Sequence, residues 1–273
     1  MKSGSSSKKV VFITGASSGI GKAIATFLSS KNYIVYGTSR NPKQQSNLPY
    51  QLIPLNVSEN QSIEDAVDFI VQKQGKIDIL INNAGVGITG PIEETPEAEI
   101  KKAFDVNYNG PINVIKAVLP FMRKQKSGFI INITSIAGYM GLPYRGIYSA
   151  TKGALEITSE ALRMEVKDFN IKIVCVAPGD FSTNIAAGRF HSPVLEDSPY
   201  FHSYGKTLGL MNEHVDSGKD PQLMAKVIFE ILQQKEPKIH YKVGDFMQKF
   251  SIVLKRLLPD KVYEKMLLKH YKL

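Results

Sequence analysis

The sequence predicts an α/β protein built on a doubly wound parallel sheet in a single domain, and two observations carry that prediction. Short apolar, β-branched runs alternate along the chain with segments whose apolar residues recur at helical spacing. The glycine-rich and polar motifs stand where those runs end or where the next helix begins, which is where open parallel sheets bind ligands. The chain has 273 residues, no internal repeat and no break in composition, enough for one large domain with a sizeable core.

Taken in order, the polar start at residues 1–8 reads as a disordered tail. Val10–Ile13 is a buried strand. It runs into Thr14-Gly15-Ala16-Ser17-Ser18-Gly19-Ile20-Gly21, after which Ile20, Ala23, Ile24, Phe27 and Leu28 keep helical spacing. Strand, glycine turn and helix make a phosphate-binding turn the better reading, although a glycine-rich loop by itself is often only a turn. Gly15 allows the tight turn, Gly19 lets backbone approach a pyrophosphate, and Gly21 lets the helix pack on the strand. The helix start then offers N–H groups and a positive dipole end to phosphate oxygens.

Tyr33–Thr38 is the second strand. Where a dinucleotide-binding fold would place a carboxylate for a ribose 2′-hydroxyl, the chain reads Thr38-Ser39-Arg40-Asn41. Arg40 can pair with a 2′-phosphate in a bidentate way, which favours NADP(H) over NAD(H). The competing reading is a solvated surface arginine. Gln51–Leu55, ending at Asn56-Val57, is the third strand, and Ile63, Ala66, Val67, Ile70 and Val71 mark the helix behind it. Ile77–Ile81 is the fourth strand and meets Asn82-Asn83-Ala84-Gly85, small residues of the kind a sheet needs where a ligand crosses it. A plain turn would look the same. Helices follow over Glu97–Val106 and around Val114, Ile115, Val118, Leu119 and Met122, with Asn107 between them. Phe129–Ile133 ends at Thr134-Ser135, and Ile171–Val176 ends at Pro178-Gly179.

From 180 to 220 the periodicity dissolves among scattered glycines, prolines, histidines and aromatics, so this stretch reads as an irregular lid over a mostly apolar pocket. A helix over Leu223–Leu232 and a last strand over Lys238–Val243 follow. Two amphipathic helices, Phe246–Leu258 and Lys261–Leu268, make a basic extension of the same domain over 245–273.

The chemistry centres on Tyr148-Ser-Ala-Thr-Lys152. Residues four apart on a helix share a face one turn apart. A lysine ammonium there favours the phenolate, and a tyrosine so tuned can exchange a proton with a carbonyl or alcohol oxygen. Alone, such a pair is more often just a solvated aromatic and its neighbour. Ser135, the 82–85 run and the glycine turn raise it above that.

The formal net charge is +9, but the lysines are spread along the chain with no basic stripe interleaved with aromatics, so nucleic acid is not an expected partner. Cys175, the lone cysteine, lies in an apolar run and reads as a buried small hydrophobe; no metal-ligand spacing surrounds it. A lone cysteine and the lack of a signal-like or membrane-spanning run give a cytoplasmic expectation.

Together these residues resemble the short-chain dehydrogenase/reductase family over roughly residues 8–245: the turn at 14–21, Asn82–Gly85, Asn107, Ser135, Tyr148 with Lys152, and Pro178-Gly179 match its pattern in order. The resemblance implies a Rossmann-type domain over 9–244, a nicotinamide cofactor, and interconversion of a carbonyl and a secondary alcohol. It implies that Tyr148 is the catalytic acid/base and that Lys152 lowers its pKa and holds the nicotinamide ribose. Ser135 would bind the substrate oxygen, and Asn107 would hold a water connecting Lys152 to solvent. The cofactor residues implied are Gly15, Ser17, Ser18, Gly19, Ile20, Gly21, Ser39, Arg40, Asn56, Val57, Asn83, Ala84, Gly85, Tyr148, Lys152, Pro178, Gly179 and Thr183. Asn56 stands where the family often has Asp, a mild departure. A homodimer or homotetramer through the helices at 111–125 and 148–168 is expected. The alternative function is a non-catalytic NADP(H)-binding regulator, which would have no need of Ser135, Tyr148 and Lys152 together. The 245–273 extension has two readings: helices that close the pocket, preferred because their apolar residues are numerous enough to be core, or a peripheral membrane contact.

Overall fold

The structure is a computed structural model and describes residues 8–42, 47–182, 188–216 and 218–273. Its centre is a parallel sheet made by β1 (Val10–Ile13), β2 (Ile34–Ser39), β3 (Gln51–Pro54), β4 (Ile79–Asn82), β6 (Gly128–Ile133), β7 (Ile171–Pro178) and β9 (His240–Val243), in the order β3-β2-β1-β4-β6-β7-β9. Two short strands, β5 (Ile88–Thr89) and β8 (Phe190–His191), pair with each other outside it. The order reverses between β1 and β4, the switch point where a doubly wound sheet opens a ligand crevice. The expected Rossmann-type sheet is therefore present, with strand limits within about two residues of those read from the sequence.

Strands buried on both faces have to be apolar throughout, and β1, β4 and β6 are buried at every position. Alternate residues face opposite layers. Val11 and Ile13 join one core with α1 (Gly19–Ser29) and, near the C-terminus, the helix over Gln222–Leu232. Val10 and Phe12 join the other with α2 (Asn60–Gln74) and α4 (Gly110–Gln125). Behind β6 and β7 runs the 20-residue helix α5 (Gly146–Glu165), which carries Tyr148 and Lys152.

Two features differ from the sequence reading. The helices around Asn107 are not separate: α3 (Glu97–Phe104) continues through a π-helical turn, Asp105–Asn109, into α4, with Asn107 fully buried inside that turn. Single π-turns within helices concentrate at functional sites. The second difference is the 180–220 segment, which is not a structureless loop. It contains β8 and a 16-residue helix, α6 (Phe201–Asp216). The buried face of α6 is carried by Tyr204, Thr207 and Met211, at helical spacing but without aliphatic residues, while Gly205 and Gly209 weaken the pattern. Tyr204 is 1% exposed and donates to Ser192 O at 3.1 Å, tying α6 to the strand β8.

After α7 (Gln222–Leu232) and β9, the extension forms two helices as expected, α8 (Phe246–Leu257) and α9 (Asp260–Tyr271). Ile252 and Tyr263, both buried, pack them against Ile136, Met140 and Ala177. No helix among the described residues is long and apolar enough to cross a membrane.

Candidate active site

The site lies along the C-terminal ends of β1, β4, β6 and β7. At the first of these, Gly15 and Gly19 take positive φ, 67° and 53°, which suits glycine. A Cβ on Gly15 would stand 2.9 Å from Ala84 Cα, and one on Gly21 would overlap the Gly15 carbonyl. The turn is clamped from β4. Asn83 Nδ2 donates to Thr14 O at 3.1 Å and Gly15 O at 2.8 Å, while Thr14 Oγ1 accepts the N–H groups of Asn83 and Ala84, both at 3.0 Å. Gly15 N also donates to Thr38 Oγ1 at 3.1 Å, which joins the turn to the end of β2. Ser18 caps α1 without a side-chain bond into the helix, and no acidic residue occupies its first turn. A tight glycine cradle at a helix start with no carboxylate near it suits a phosphate-bearing group.

Ser39 and Arg40 follow at the end of β2, half-buried and exposed. Asn56 builds the turn before α2: its backbone N–H donates to Ser62 Oγ at 2.9 Å and its Nδ2 to Glu59 Oε1 at 2.6 Å. Val57 is buried against Gly110. Thr183 lies outside the described residues.

The chemical end of the site is drawn together by α5. Lys152 is 4% exposed, and its Nζ donates to Ile133 O at 3.0 Å. Burial draws its pKa below the usual lysine range, while the negative charge of Glu156 and of an ionised Tyr148 pulls the other way. Gly85 brings the β4 loop up to this ammonium; a Cβ there would lie 3.5 Å from Nζ and 3.2 Å from Asn107 Oδ1. Asn107 is tied on both sides: Oδ1 accepts Val86 N–H at 2.8 Å, and Nδ2 donates to Val86 O at 2.9 Å and Thr151 Oγ1 at 3.2 Å. Ser135 caps the short 3₁₀ turn Ile136–Tyr139, its Oγ accepting Ala137 N–H at 3.2 Å. Its hydroxyl proton is thereby left for another acceptor. The guanidinium of Arg145 sits 5.3 Å from the centre of the Tyr148 ring.

Ser135, Tyr148, Pro178, Gly179 and Ile20 all line one cavity of about 510 Å³. Its far wall is largely apolar, from Met140, Leu142, Met247, Leu254, Tyr263 and Leu267. The structure thus brings Ser135 and Tyr148 to one opening, with Lys152 buried one helical turn from Tyr148 and the glycine cradle at the C-terminal end of β1.

Sequence reading missed the residues behind Lys152. Glu156, one turn on and 4% exposed, accepts a short hydrogen bond from Thr134 Oγ1. Thr134 sits between Ile133, whose carbonyl holds Lys152, and Ser135. The other Glu156 oxygen meets His240 Nδ1 at 2.7 Å, and His240 Nε2 meets Glu160 Oε1 at 2.9 Å. The Tyr139 hydroxyl lies 3.2 Å from the same Nδ1; burial, with Glu156 adding, pushes that hydroxyl's pKa up. Cys175 is buried beside this group, and burial raises its thiol in the same way. Glu156 was legible as the residue four past Lys152. His240 was not, because only the fold places β9 next to β7.

With this geometry in view, comparison with known proteins is decisive. A family profile described as short chain dehydrogenase matches residues 9–193. The chain belongs to the short-chain dehydrogenase family. This dehydrogenase-family chain is 41% identical over 257 residues to a 3-ketodihydrosphingosine reductase of Bacteroides thetaiotaomicron, covering 94% of this chain and 95% of that one. It is 33% identical to an uncharacterised oxidoreductase, YusZ, of Bacillus subtilis, with 96% and 98% covered. Among solved structures, a short-chain dehydrogenase from Streptomyces avermitilis superposes with a TM-score of 0.83 at 32% identity, over 98% of this chain and 97% of that one. ElxO with NADP bound superposes with a TM-score of 0.69 at 28% identity, over 86% and 97%. The protein is an oxidoreductase of this short-chain dehydrogenase family.

The buried charge pair gives a stability prediction. Glu156→Leu leaves the Lys152 ammonium without its buried counter-charge and His240 and Thr134 without their acceptor, at an expected cost on the order of 3–5 kcal/mol. Glu156→Gln keeps an acceptor and costs less. The denaturant midpoint of each variant reads this, and a Leu variant as stable as the parent would remove Glu156 from the account.

Proposed function

We propose that the protein is an NADP(H)-dependent reductase that interconverts a carbonyl and a secondary alcohol on a long-chain, lipid-like substrate. The observation that carries the reading is that Ser135 and Tyr148 line one cavity whose far wall is largely apolar, with Lys152 buried one helical turn from Tyr148. The 41% identical relative named as a 3-ketodihydrosphingosine reductase supports a long-chain ketone.

When bound, the nicotinamide supplies the hydride for reduction, or takes it up in the reverse direction. The chain's own residues do the rest. The Ser135 hydroxyl donates to the substrate oxygen, where negative charge grows as the carbonyl is reduced. Tyr148 gives its phenolic proton to that oxygen, so the product leaves as a neutral alcohol. The Lys152 ammonium, fixed by Ile133 O, stabilises the phenolate that remains, and in its low-dielectric setting that charge acts more strongly than it would in water. Asn107, Thr151 and the π-turn fix the wall behind Lys152, and proton resupply to Tyr148 is assigned to this side. The glycine cradle and the α1 start hold the phosphates, with Asn83 and Ala84 shaping the turn.

NADP(H) rather than NAD(H) is proposed from Arg40. It is exposed at the end of β2, next to the strand residue Thr38 that is hydrogen-bonded to the glycine turn, and no carboxylate stands between Thr38 and Asn41. A guanidinium there takes a 2′-phosphate in a fork. A second copy of the chain is proposed to cover α5, where Ile157 and Met164, seven residues apart on one face, are 70% and 73% exposed. Light scattering at micromolar concentration should return at least twice the monomer mass, and a monomer would overturn this.

Two assays test the enzymatic reading. Tyr148→Phe should lower NADPH consumption on a long-chain 3-keto lipid about 10²–10⁴-fold while leaving NADPH affinity nearly unchanged. Retained turnover would remove Tyr148 from the chemistry. Arg40→Asp should move the ratio of kcat/KM for NADPH over NADH toward NADH. A ratio that does not move leaves Arg40 a bystander.

A further inference from the structure

The two C-terminal helices have a second apolar face that the cavity does not use. On α8, Gln248, Ser251 and Leu254 line the cavity and Ile252 is buried in the core beneath it. Phe246, Phe250, Val253 and Leu257, spaced by four, three and four residues, form another stripe on the same helix, 71%, 38%, 42% and 74% exposed. Phe246 and Phe250 stack on each other with ring centres 5.5 Å apart. Val262 and Leu273 add exposed apolar surface on and just beyond α9. An ordinary surface helix would carry polar residues at these positions, and contiguous exposed apolar surface marks an interaction site.

What surrounds the stripe selects the occupant. Residues 245–273 hold seven basic side chains against three acidic ones. Two of the three acids are already paired: Asp245 with Lys219 at 2.8 Å, and Asp260 with Lys255 at 2.9 Å. Lys249, Arg256, Lys261, Lys265, Lys269 and Lys272 are all exposed. A second copy docked here about a two-fold axis would bring this basic surface against itself. An anionic leaflet instead gives each of these charges a partner while its acyl boundary takes the stripe.

We propose that the outer faces of α8 and α9 seat the protein on an anionic lipid surface, so that the helices roofing the substrate cavity lie against the bilayer. The proposal deepens the reading of a lipid-like substrate, because the same two helices separate the cavity from that surface. A long-chain ketone could then pass from leaflet to cavity with little exposure to water. The depth is interfacial: the helices lie on the membrane and do not span it.

The test is co-sedimentation of the full-length protein with vesicles of phosphatidylcholine mixed with phosphatidylglycerol, and with vesicles of phosphatidylcholine alone. The protein should pellet with the mixed vesicles at low salt and much less with the neutral ones, and rising salt should release it. Phe246→Ser combined with Leu257→Ser changes only exposed side chains outside the cavity. It should lower partitioning about tenfold or more, given the apolar area removed, while leaving the circular dichroism spectrum and the turnover of detergent-solubilised substrate as in the parent. Lys261→Glu with Lys265→Glu should weaken binding to the anionic vesicles only. Parent protein that stays in the supernatant with both vesicle types overturns the proposal, as does a serine variant that binds like the parent. A serine variant whose mass in light scattering falls by half identifies the stripe as a contact between copies and also overturns it. Sedimentation needs no substrate, so a failure of docking and a failure of the lipid-substrate reading are separately visible.

Discussion

A lysine ammonium carried into the interior is the constraint around which the site is arranged. Lys152 sits on the inner face of α5 with almost no contact with water, and an ion of that kind is stable only where partners are built for it. The partners come from three elements. The Ile133 carbonyl reaches it from the end of β6, Glu156 supplies the opposite charge one helical turn on, and Gly85 allows the β4 loop close against it. Glu156 is itself buried and needs its own support, taken from Thr134 just past β6 and His240 on β9. Each partner thus ties α5 to a strand end, and the strand ends are where Ser135 and Pro178 stand. The polar network that keeps one charge tolerable also fixes the spacing of the groups around the cavity. Its members couple in a low-dielectric setting, where a missing partner is costly.

The same economy governs the other end of the crevice. A phosphate-bearing ligand needs backbone N–H groups presented without side chains in the way, and a turn stripped to glycine has little to hold its shape. Asn83 solves this from the neighbouring strand by donating to two carbonyls of the turn, while Thr14 accepts two N–H groups in return. Parallel pairing of β1 with β4 is what lets these residues meet, since their C-terminal ends then lie side by side. Thr38 performs a similar service from β2. The glycine cradle is therefore held by three adjacent strand ends and not by its own sequence.

These dependencies explain what the sequence disclosed. The strands were legible because burial on both faces forces unbroken apolar runs, and Val10–Ile13 or Phe129–Ile133 could hardly be anything else. The Tyr148–Lys152 pair was legible because helical spacing is local. The helix α6 was hidden, since Tyr204, Thr207 and Met211 make its buried face with residues that hydropathy does not single out and two glycines interrupt it. The link from Glu156 and Glu160 to His240 was hidden for a different reason: His240 lies 80 or more residues from either and meets them only once β9 is laid beside β7. Asn56 was marked for the adenine end by resemblance, and its side chain is engaged in the turn that starts α2. Local chemistry was readable; chemistry assembled across the sheet was not.

The C-terminal extension shows how the two halves of this argument join. The sequence posed a choice between helices that close the pocket and helices that meet a membrane, but a helix has more than one face. Asp245 and Gln248 form a capping box that starts α8, and Gln248 also donates to Asp180 at 2.6 Å, just past the end of β7. That junction holds the helix in register over the cavity, so its inward residues are committed to the pocket whatever lies outside. On the inner side Ile252 and Tyr263 are buried against Ile136, Met140 and Ala177. The outward stripe is then left over in the energetics of the monomer: its exposed aromatic and aliphatic side chains contribute little to folding, and only an apolar surface outside the chain would turn them into favourable burial. A roof fixed on its inner side and apolar on its outer side is the arrangement expected where the pocket and the source of its ligand are separated by a single layer of helices.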